Sequence, residues 1–377
     1  MPRLTPVSNR SVPRIAIACG GTGGHLFPGL AIGEELLRCD CEVTLLISPK
    51  EVDQEAVRTV SGMRIETLPA VGLTRGRLFN FAFGFWKSYR MARRLFQDER
   101  PDAVLAMGGF TGAPPVLAGR SLGAKTFLHE ANSIPGRANR WLARIVNRAF
   151  VYFPETAHRL RGCQVEVTGM PVRSQFLEAV DPVAARMALG LKPEPPTVLV
   201  MGGSQGASAI NYLAIGALQT VMQAGAQVLH LTGVRDFEKI QAAYKDLGYQ
   251  GLVRPFLTEM DFALGAATVA VSRAGASSLA ELAAMRLPSI LIPYPTAADN
   301  HQYHNARAFA ETGAARMMEQ KEMTAKKLSH EILRIVRSPK VHSAIALALD
   351  QWHYPDAARS IARTILATIQ PCEVSRD

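Results

Sequence analysis

Two kinds of hydrophobic pattern alternate along this chain. Short uninterrupted apolar runs fall at Ile15–Cys19, Val43–Ile47, Ala103–Met107, Thr126–His129, Ala149–Phe153 and Val165–Thr168. Runs apolar on both faces predict buried parallel strands. Between them lie stretches with helical spacing, such as Pro28–Arg38 and Arg137–Asn147. A Pro-rich spacer, Gly190–Pro196, precedes a second series at Thr197–Met201, Gln227–Leu231, Thr268–Val271 and Ser289–Pro293. After Met323 the pattern is helical only, and Pro355–Ile369 predicts a terminal helix. Repeated strand–helix alternation is the signature of doubly wound α/β sheets. The expected organisation is therefore two Rossmann-like domains, 13–170 and 171–350, followed by a C-terminal helix, 351–370, returning to the first domain.

Composition fits that picture. The 377 residues are 48% hydrophobic and 20% charged, enough apolar material for two cores. The five cysteines are scattered, with only Cys39 and Cys41 close together, so no disulfide framework or zinc knuckle is expected. Free thiols point to the cytoplasm. The N-terminus lacks the apolar core of a secretory signal, and the most apolar stretch, Ala103–Gly119, is interrupted by glycines and prolines. Membrane contact is thus expected to be peripheral. The net charge of +10 favours an anionic partner.

Candidate chemistry gathers in glycine-rich turns. Cys19-Gly20-Gly21-Thr22-Gly23-Gly24-His25 runs from a strand into a helix, and Met201-Gly202-Gly203-Ser204-Gln205-Gly206-Ala207 repeats the arrangement. Glycine lets backbone approach a ligand, and the helix start presents free N–H groups to an anion. Neither turn ends in Gly-Lys-Ser/Thr, and Leu26 occupies the place of a third dinucleotide-binding glycine. A third loop, Ser272–Glu281, places small residues and hydroxyls (Ala276, Ser277, Ser278, Leu279) at a helix start, as a diphosphate requires. Glu281 stands one turn on, where a carboxylate accepts two ribose hydroxyls. Ala298–Asn305 forms a polar cluster after another strand, with amides suited to sugar hydroxyls.

In this order the motifs resemble the MurG family, UDP-N-acetylglucosamine transferases that convert lipid I to lipid II in peptidoglycan synthesis. The resemblance runs from about Ile15 to Ile369 and includes His129-Glu130-Ala131-Asn132, Pro171-Val172-Arg173 and His301-Gln302. It implies a GT-B fold, with nucleotide-sugar held by the C-terminal domain and acceptor by the N-terminal one. By the same resemblance Leu257 meets uracil, Arg173, Ser204, Gln205 and Gly206 lie near the nucleotide, and Ala276, Ser277, Ser278 and Leu279 cradle the diphosphate. Glu281 holds ribose, His301 and Gln302 read the sugar, and Thr22, Gly23, Gly24 and Asn132 complete the site. Ala131, Met170 and Phe110 depart from the family, where Gln, Asn and Tyr are usual. The alternatives are a related glycolipid synthase acting on diacylglycerol and a soluble UDP-sugar 2-epimerase.

Transfer requires a base for the acceptor hydroxyl and stabilisation of the departing diphosphate. The chain has no Asp-x-Asp motif, so helix N-termini and Arg173 are expected in place of a metal, and no cofactor is expected. The expected base is His25, at an ordinary imidazole pKa near 6.5. The expected geometry is a single inverting displacement, as the resemblance implies. From Thr67 to Gln97 there is no carboxylate, while Leu78, Phe79, Phe83 and Trp86 lie beside Arg90 and Arg94. Aromatics beside cations suit an anionic lipid interface, here the cytoplasmic face of the inner membrane. Arg137, Arg140, Arg144 and Arg148 are expected to share a helical face and extend that basic surface. Expected partners are UDP-N-acetylglucosamine, lipid I, the membrane and other cell-wall synthesis proteins, without nucleic acid.

Overall fold

The computed structural model describes residues 12–21, 23–50, 53–54, 57–58, 60–69, 78–202, 206–249 and 251–369. The predicted apolar runs form two parallel sheets. In the first, β1 (Arg14–Ala18), β2 (Glu42–Ile47), β3 (Arg64–Thr67), β4 (Ala103–Ala106), β5 (Lys125–Glu130), β6 (Arg148–Val151) and β7 (Gln164–Val167) are ordered β3-β2-β1-β4-β5-β6-β7. The second contains β8 (Thr197–Met201), β9 (Gln227–Leu231), β10 (Leu252–Arg254), β11 (Val269–Ser272), β12 (Ser289–Leu291) and β13 (Arg316–Met317), ordered β10-β9-β8-β11-β12-β13. Strand order reverses between β1 and β4 and again between β8 and β11. Open α/β sheets bind ligands in the crevice at such a switch point, outside the carboxyl ends of the strands.

Side-chain alternation explains why both faces of the first sheet are covered. Ile15 and Ile17 join a core with Leu26, Leu30 and Leu36 of the Gly23–Arg38 helix, and with Ile361, Ala362 and Ile365 of the Ala357–Ile369 helix. Ala16 and Ala18 face the other way, toward Val116 of the Gly109–Ser121 helix and Ala92 and Phe96 of the Leu78–Asp98 helix. Small residues allow close approach here: a Cβ on Gly112 would stand 2.8 Å from Ala106 Cβ.

The junction between the halves is aromatic. Phe309 and Trp352 stack at 4.4 Å, Phe153 lies 5.3 Å from Trp352, and Tyr152 OH donates to Trp352 O at 3.2 Å. His129 Nε2 lies 3.0 Å from Gly169 O, and Gly169 (φ +81°) presses against the Tyr354 ring so closely that no Cβ fits. Both chain crossings are thereby packed against the first sheet.

Three strands escaped the apolar pattern: β3, β10 and β13 are short and carry Arg64, Arg254 and Arg316. β3, β10 and β13 are all edge strands, and charge there discourages pairing with another chain. The helix expected over Arg137–Asn147 stops at Leu142. Asn147 turns the chain onto β5, its N–H donating to Thr126 O and its Oδ1 accepting from Thr126 N–H. Arg148 consequently begins β6, and the four arginines share no helical face. Arg137 and Arg140 instead reach Asp299 of the second half at 3.5 and 3.2 Å.

Candidate functional site

Both switch points face each other. The turn after β1 leads into the Gly23–Arg38 helix, and the turn after β11 leads into the Ala276–Ala284 helix. Ser277 Oγ donates to Gly24 O at 3.2 Å, joining the first turns of these helices across the domains. Gly275 caps the second helix without any side-chain contact to its N–H groups. Two positive helix ends therefore converge on one place. Ala276 and Leu279 are buried, so they offer backbone alone, while the Ser277 and Ser278 side chains are partly open.

His25, in the first turn of its helix, lays its ring over Gly108 and Gly109, which begin the Gly109–Ser121 helix after β4. A Cβ on Gly108 would fall 3.0 Å from Nε2, and both glycines have left-handed φ, +120° and +72°. Burial lowers the His25 pKa to about 4, with the Asp53 carboxylate opposing and the Lys50 ammonium adding to the fall. This corrects the expectation of an ordinary imidazole: burial makes the ring give up its proton more readily than a free one does.

Asn132 sits in a hydrogen-bonded bridge in which Glu130, Gly136 and Asn139 had been given no role by the motif reading. Glu130, buried, accepts from Asn132 N–H (2.9 Å), Asn132 Nδ2 (3.2 Å), Gly136 N–H (2.9 Å) and Asn139 Nδ2 (2.9 Å). Burial raises its carboxyl pKa while these donors pull the other way. Asn132 Oδ1 then accepts from Asn305 Nδ2 at 3.1 Å, from the His301–Glu311 helix of the other domain. Asn305 was expected among the amides suited to sugar hydroxyls; the structure instead buries it and turns its amide to Asn132, Ala274 and Ser133.

Arg173 and Glu281 meet at 3.6 Å. The Arg173 guanidinium is flanked by Phe27 at 4.5 Å and Phe176 at 4.8 Å, and its buried Nε has no hydrogen-bond partner among the described residues. Burial lifts the Glu281 carboxyl to about 7, against the pull of Arg173. The neighbouring Arg273 is structural: its guanidinium donates to Ile292 O, Pro293 O and Gln320 Oε1, pinning the end of β12.

Asp299 and Asn300 adopt left-handed φ of +49° and +54° ahead of His301. His301 Nδ1 donates to Ala298 O (2.8 Å), and Gln302 Oε1 accepts from Tyr294 N–H (3.0 Å), leaving one polar end of each for another partner. Gly206 (φ +70°) lies so close to Thr232 O that a Cβ would stand 2.7 Å away. Leu257 is half-buried after β10, against the second core. Thr22, Ser204 and Gln205 lie outside the described residues. Among the described residues no cluster of three His, Cys, Asp or Glu side chains could hold a metal.

The Glycosyltransferase family 28 N-terminal domain matches residues 15–151, and the Glycosyltransferase family 28 C-terminal domain matches residues 197–358. The chain belongs to glycosyltransferase family 28. A family 28 relative from Sorangium cellulosum (strain So ce56) is 40% identical over 93% of this chain and 87% of that protein. Another, from Anaeromyxobacter dehalogenans (strain 2CP-1 / ATCC BAA-258), is 35% identical over 95% of this chain and 93% of that one. Both are named UDP-N-acetylglucosamine–N-acetylmuramyl-(pentapeptide) pyrophosphoryl-undecaprenol N-acetylglucosamine transferase. The crystal structure of Acinetobacter baumannii MurG superposes with a TM-score of 0.73 at 27% identity, covering 94% of this chain and 99% of that one. The two facing parallel-sheet domains are the GT-B fold.

Proposed function

We propose that this family 28 chain transfers N-acetylglucosamine from UDP-N-acetylglucosamine to lipid I, undecaprenyl-pyrophosphoryl-N-acetylmuramoyl-pentapeptide, forming lipid II. The observation carrying this reading is the Ser277–Gly24 contact, which brings two helix N-termini together at the facing switch points. Converging positive ends favour an anion between them, and a nucleotide diphosphate supplies one. In this reading the N–H groups of Ala276, Ser277 and Ser278, with Gly23, Gly24 and Arg173, stabilise the negative charge that develops on the departing UDP. Glu281 accepts from ribose, Leu257 meets uracil through its backbone, and the free ends of His301 and Gln302 read the sugar. Thr22, Ser204, Gln205, Gly206 and Asn132 complete the donor pocket.

His25 takes the proton of the acceptor hydroxyl as that oxygen attacks the anomeric carbon. The bond from that carbon to the diphosphate breaks in the same displacement, and the configuration inverts. An imidazole at about 4 is a weak base in the free protein. A bound diphosphate raises it, because an anion nearby favours the protonated ring.

The acceptor is a lipid, and the Leu78–Asp98 helix supports docking at its membrane. Ala92 and Phe96 face the core, whereas Phe79 (92% exposed), Phe83 (65%) and Trp86 (51%) project outward with Lys87, Arg90, Arg93 and Arg94. Arg90 lies over the Trp86 ring at 4.6 Å. Rings at headgroup depth beside phosphate-binding cations suit the anionic cytoplasmic face of the inner membrane. No described helix is long and apolar enough to cross a membrane. Leu78 belongs to the same helix, though its side chain lies outside the described ones.

Measuring UDP release from UDP-N-acetylglucosamine tests the reaction. Release that depends on a short-chain lipid I analogue is the expected result. Release that depends on diacylglycerol, or epimerised sugar formed with no acceptor, would overturn it.

A further inference from the structure

We propose that Asp53 and Lys50 are a positioning pair that holds the Gly21 peptide, and through it the first glycine-rich loop, in the orientation transfer requires. The proposal rests on the reading of Gly23, Gly24 and His25 as part of the transfer site. Asp53 is fully buried, and its Oδ2 accepts from Gly21 N–H (2.6 Å), Ser48 Oγ–H (2.5 Å) and Ser48 N–H (3.3 Å). Lys50 Nζ donates to the carbonyl of the same glycine at 2.6 Å. One residue earlier, Thr111 Oγ1–H donates to Gly20 O at 2.8 Å. Both polar groups of Gly21 are thus held by full charges of opposite sign, and the peptide planes on either side of its left-handed φ (+119°) are fixed.

A purely structural turn does not require this arrangement. Backbone N–H and C=O groups at a partly open loop are satisfied by water or a neutral amide. Here a carboxylate is kept fully buried with its second oxygen, Oδ1, without a hydrogen-bond partner among the described residues, which costs stability. The restraint acts directly upstream of Gly24, whose carbonyl receives Ser277, and of His25. The charged groups bearing on the His25 ring are the same two, Asp53 and Lys50, with the His129 imidazole also near it. Orientation of the loop and the charge balance at the ring are therefore set by one pair.

The test compares Asp53→Asn, Lys50→Met and Lys50→Arg in the full chain, measuring kcat, KM for the donor, UDP affinity by calorimetry and melting temperature. A misplacement on the order of 1 Å at a reacting group costs about 100-fold. Expected are kcat losses of about 10- to 100-fold in Asp53→Asn and Lys50→Met, with Lys50→Arg restoring most of the rate. UDP affinity falls less than kcat, because apart from the first glycine-rich loop and Asn132 the proposed nucleotide contacts lie on the other domain, and exposed Lys50→Met melts like the parent. Unchanged kcat in Lys50→Met and Asp53→Asn would overturn the proposal, as would a parallel loss of UDP affinity. An Lys50→Arg rate as low as Lys50→Met would do the same. Absence of transfer in the parent chain defeats the reaction itself, an outcome distinct from an active parent with indifferent variants.

Discussion

Asn305 reaches across the domain boundary to Asn132, its Nδ2 donating to the Asn132 Oδ1 at 3.1 Å. The same amide donates to Ala274 O at 3.2 Å and accepts from Ser133 N–H at 2.9 Å, so three of the four hydrogen bonds it can make in this fully buried position go to fixing two loops. One side chain therefore sets the distance between the His129–Asn132 motif and the Arg273–Glu281 loop. Replacing it with Asp keeps the shape but removes the donor to Asn132 and Ala274. Each buried group left unsatisfied costs about 1–3 kcal/mol. Urea unfolding of Asn305→Asp should show at least that loss, with donor KM rising in the fraction that remains folded. Parent-like stability would show that the bridge contributes nothing.

Glu281 makes stability depend on pH. Its folded pKa of about 7 lies above the ordinary carboxylate value, so the folded state holds this proton longer than the unfolded one. The favourable contribution is complete below about pH 4.3 and is lost as pH rises through about 7. Glu281→Gln has no such proton to lose. Its melting temperature should rise relative to the parent between pH 5 and 8, equivalent to roughly 1–3 kcal/mol. A difference that is constant across that range would contradict the raised pKa.

The same substitution should weaken UDP. A glutamine at 281 keeps the shape but loses charge-assisted acceptance from ribose, a loss of about 1–3 kcal/mol. Calorimetry at pH 8, where the parent carboxylate is ionised, gives the clearest reading. Equal affinity there would remove Glu281 from the ribose site.

His25→Ala should lower turnover by about 10²- to 10⁴-fold with donor affinity nearly intact. Because the free ring titrates near 4, the acid limb of kcat/KM assigned to His25 should fall well below pH 6. Near-normal turnover in the variant rules out the base role, and a loss confined to donor affinity makes His25 a binding residue.

Vesicle sedimentation reports on the Leu78–Asp98 helix. Each exposed cation near an anionic surface contributes about 1 kcal/mol, screened by salt. Binding should fall with rising salt and fall again with Phe83 and Trp86 replaced by Ser. Equal binding to neutral and anionic vesicles would contradict the electrostatic part.

What the sequence determined by itself was local. Central strands such as β1 and β8 were legible because burial on both faces demands continuous apolar residues, and the first two glycine turns because a Cβ at Gly20, Gly202 or Gly206 would run into backbone. The ordered motifs carried the family. Edge strands β3, β10 and β13 were not legible, since exposure lets charged residues interrupt them. Tertiary structure alone decided which distant groups meet. Spacing cannot reveal that Asn305 answers Asn132, that Arg137 and Arg140 pair with Asp299, or that Asp53 and Lys50 grip Gly21. It also decided charge: His25 and Glu281 have ordinary pKa values as isolated residues, and burial, with Lys50 adding to the fall at His25 and Arg173 opposing the rise at Glu281, drives one down to about 4 and the other up to about 7. Desolvation belongs to a place in the fold, and no residue carries it in its identity.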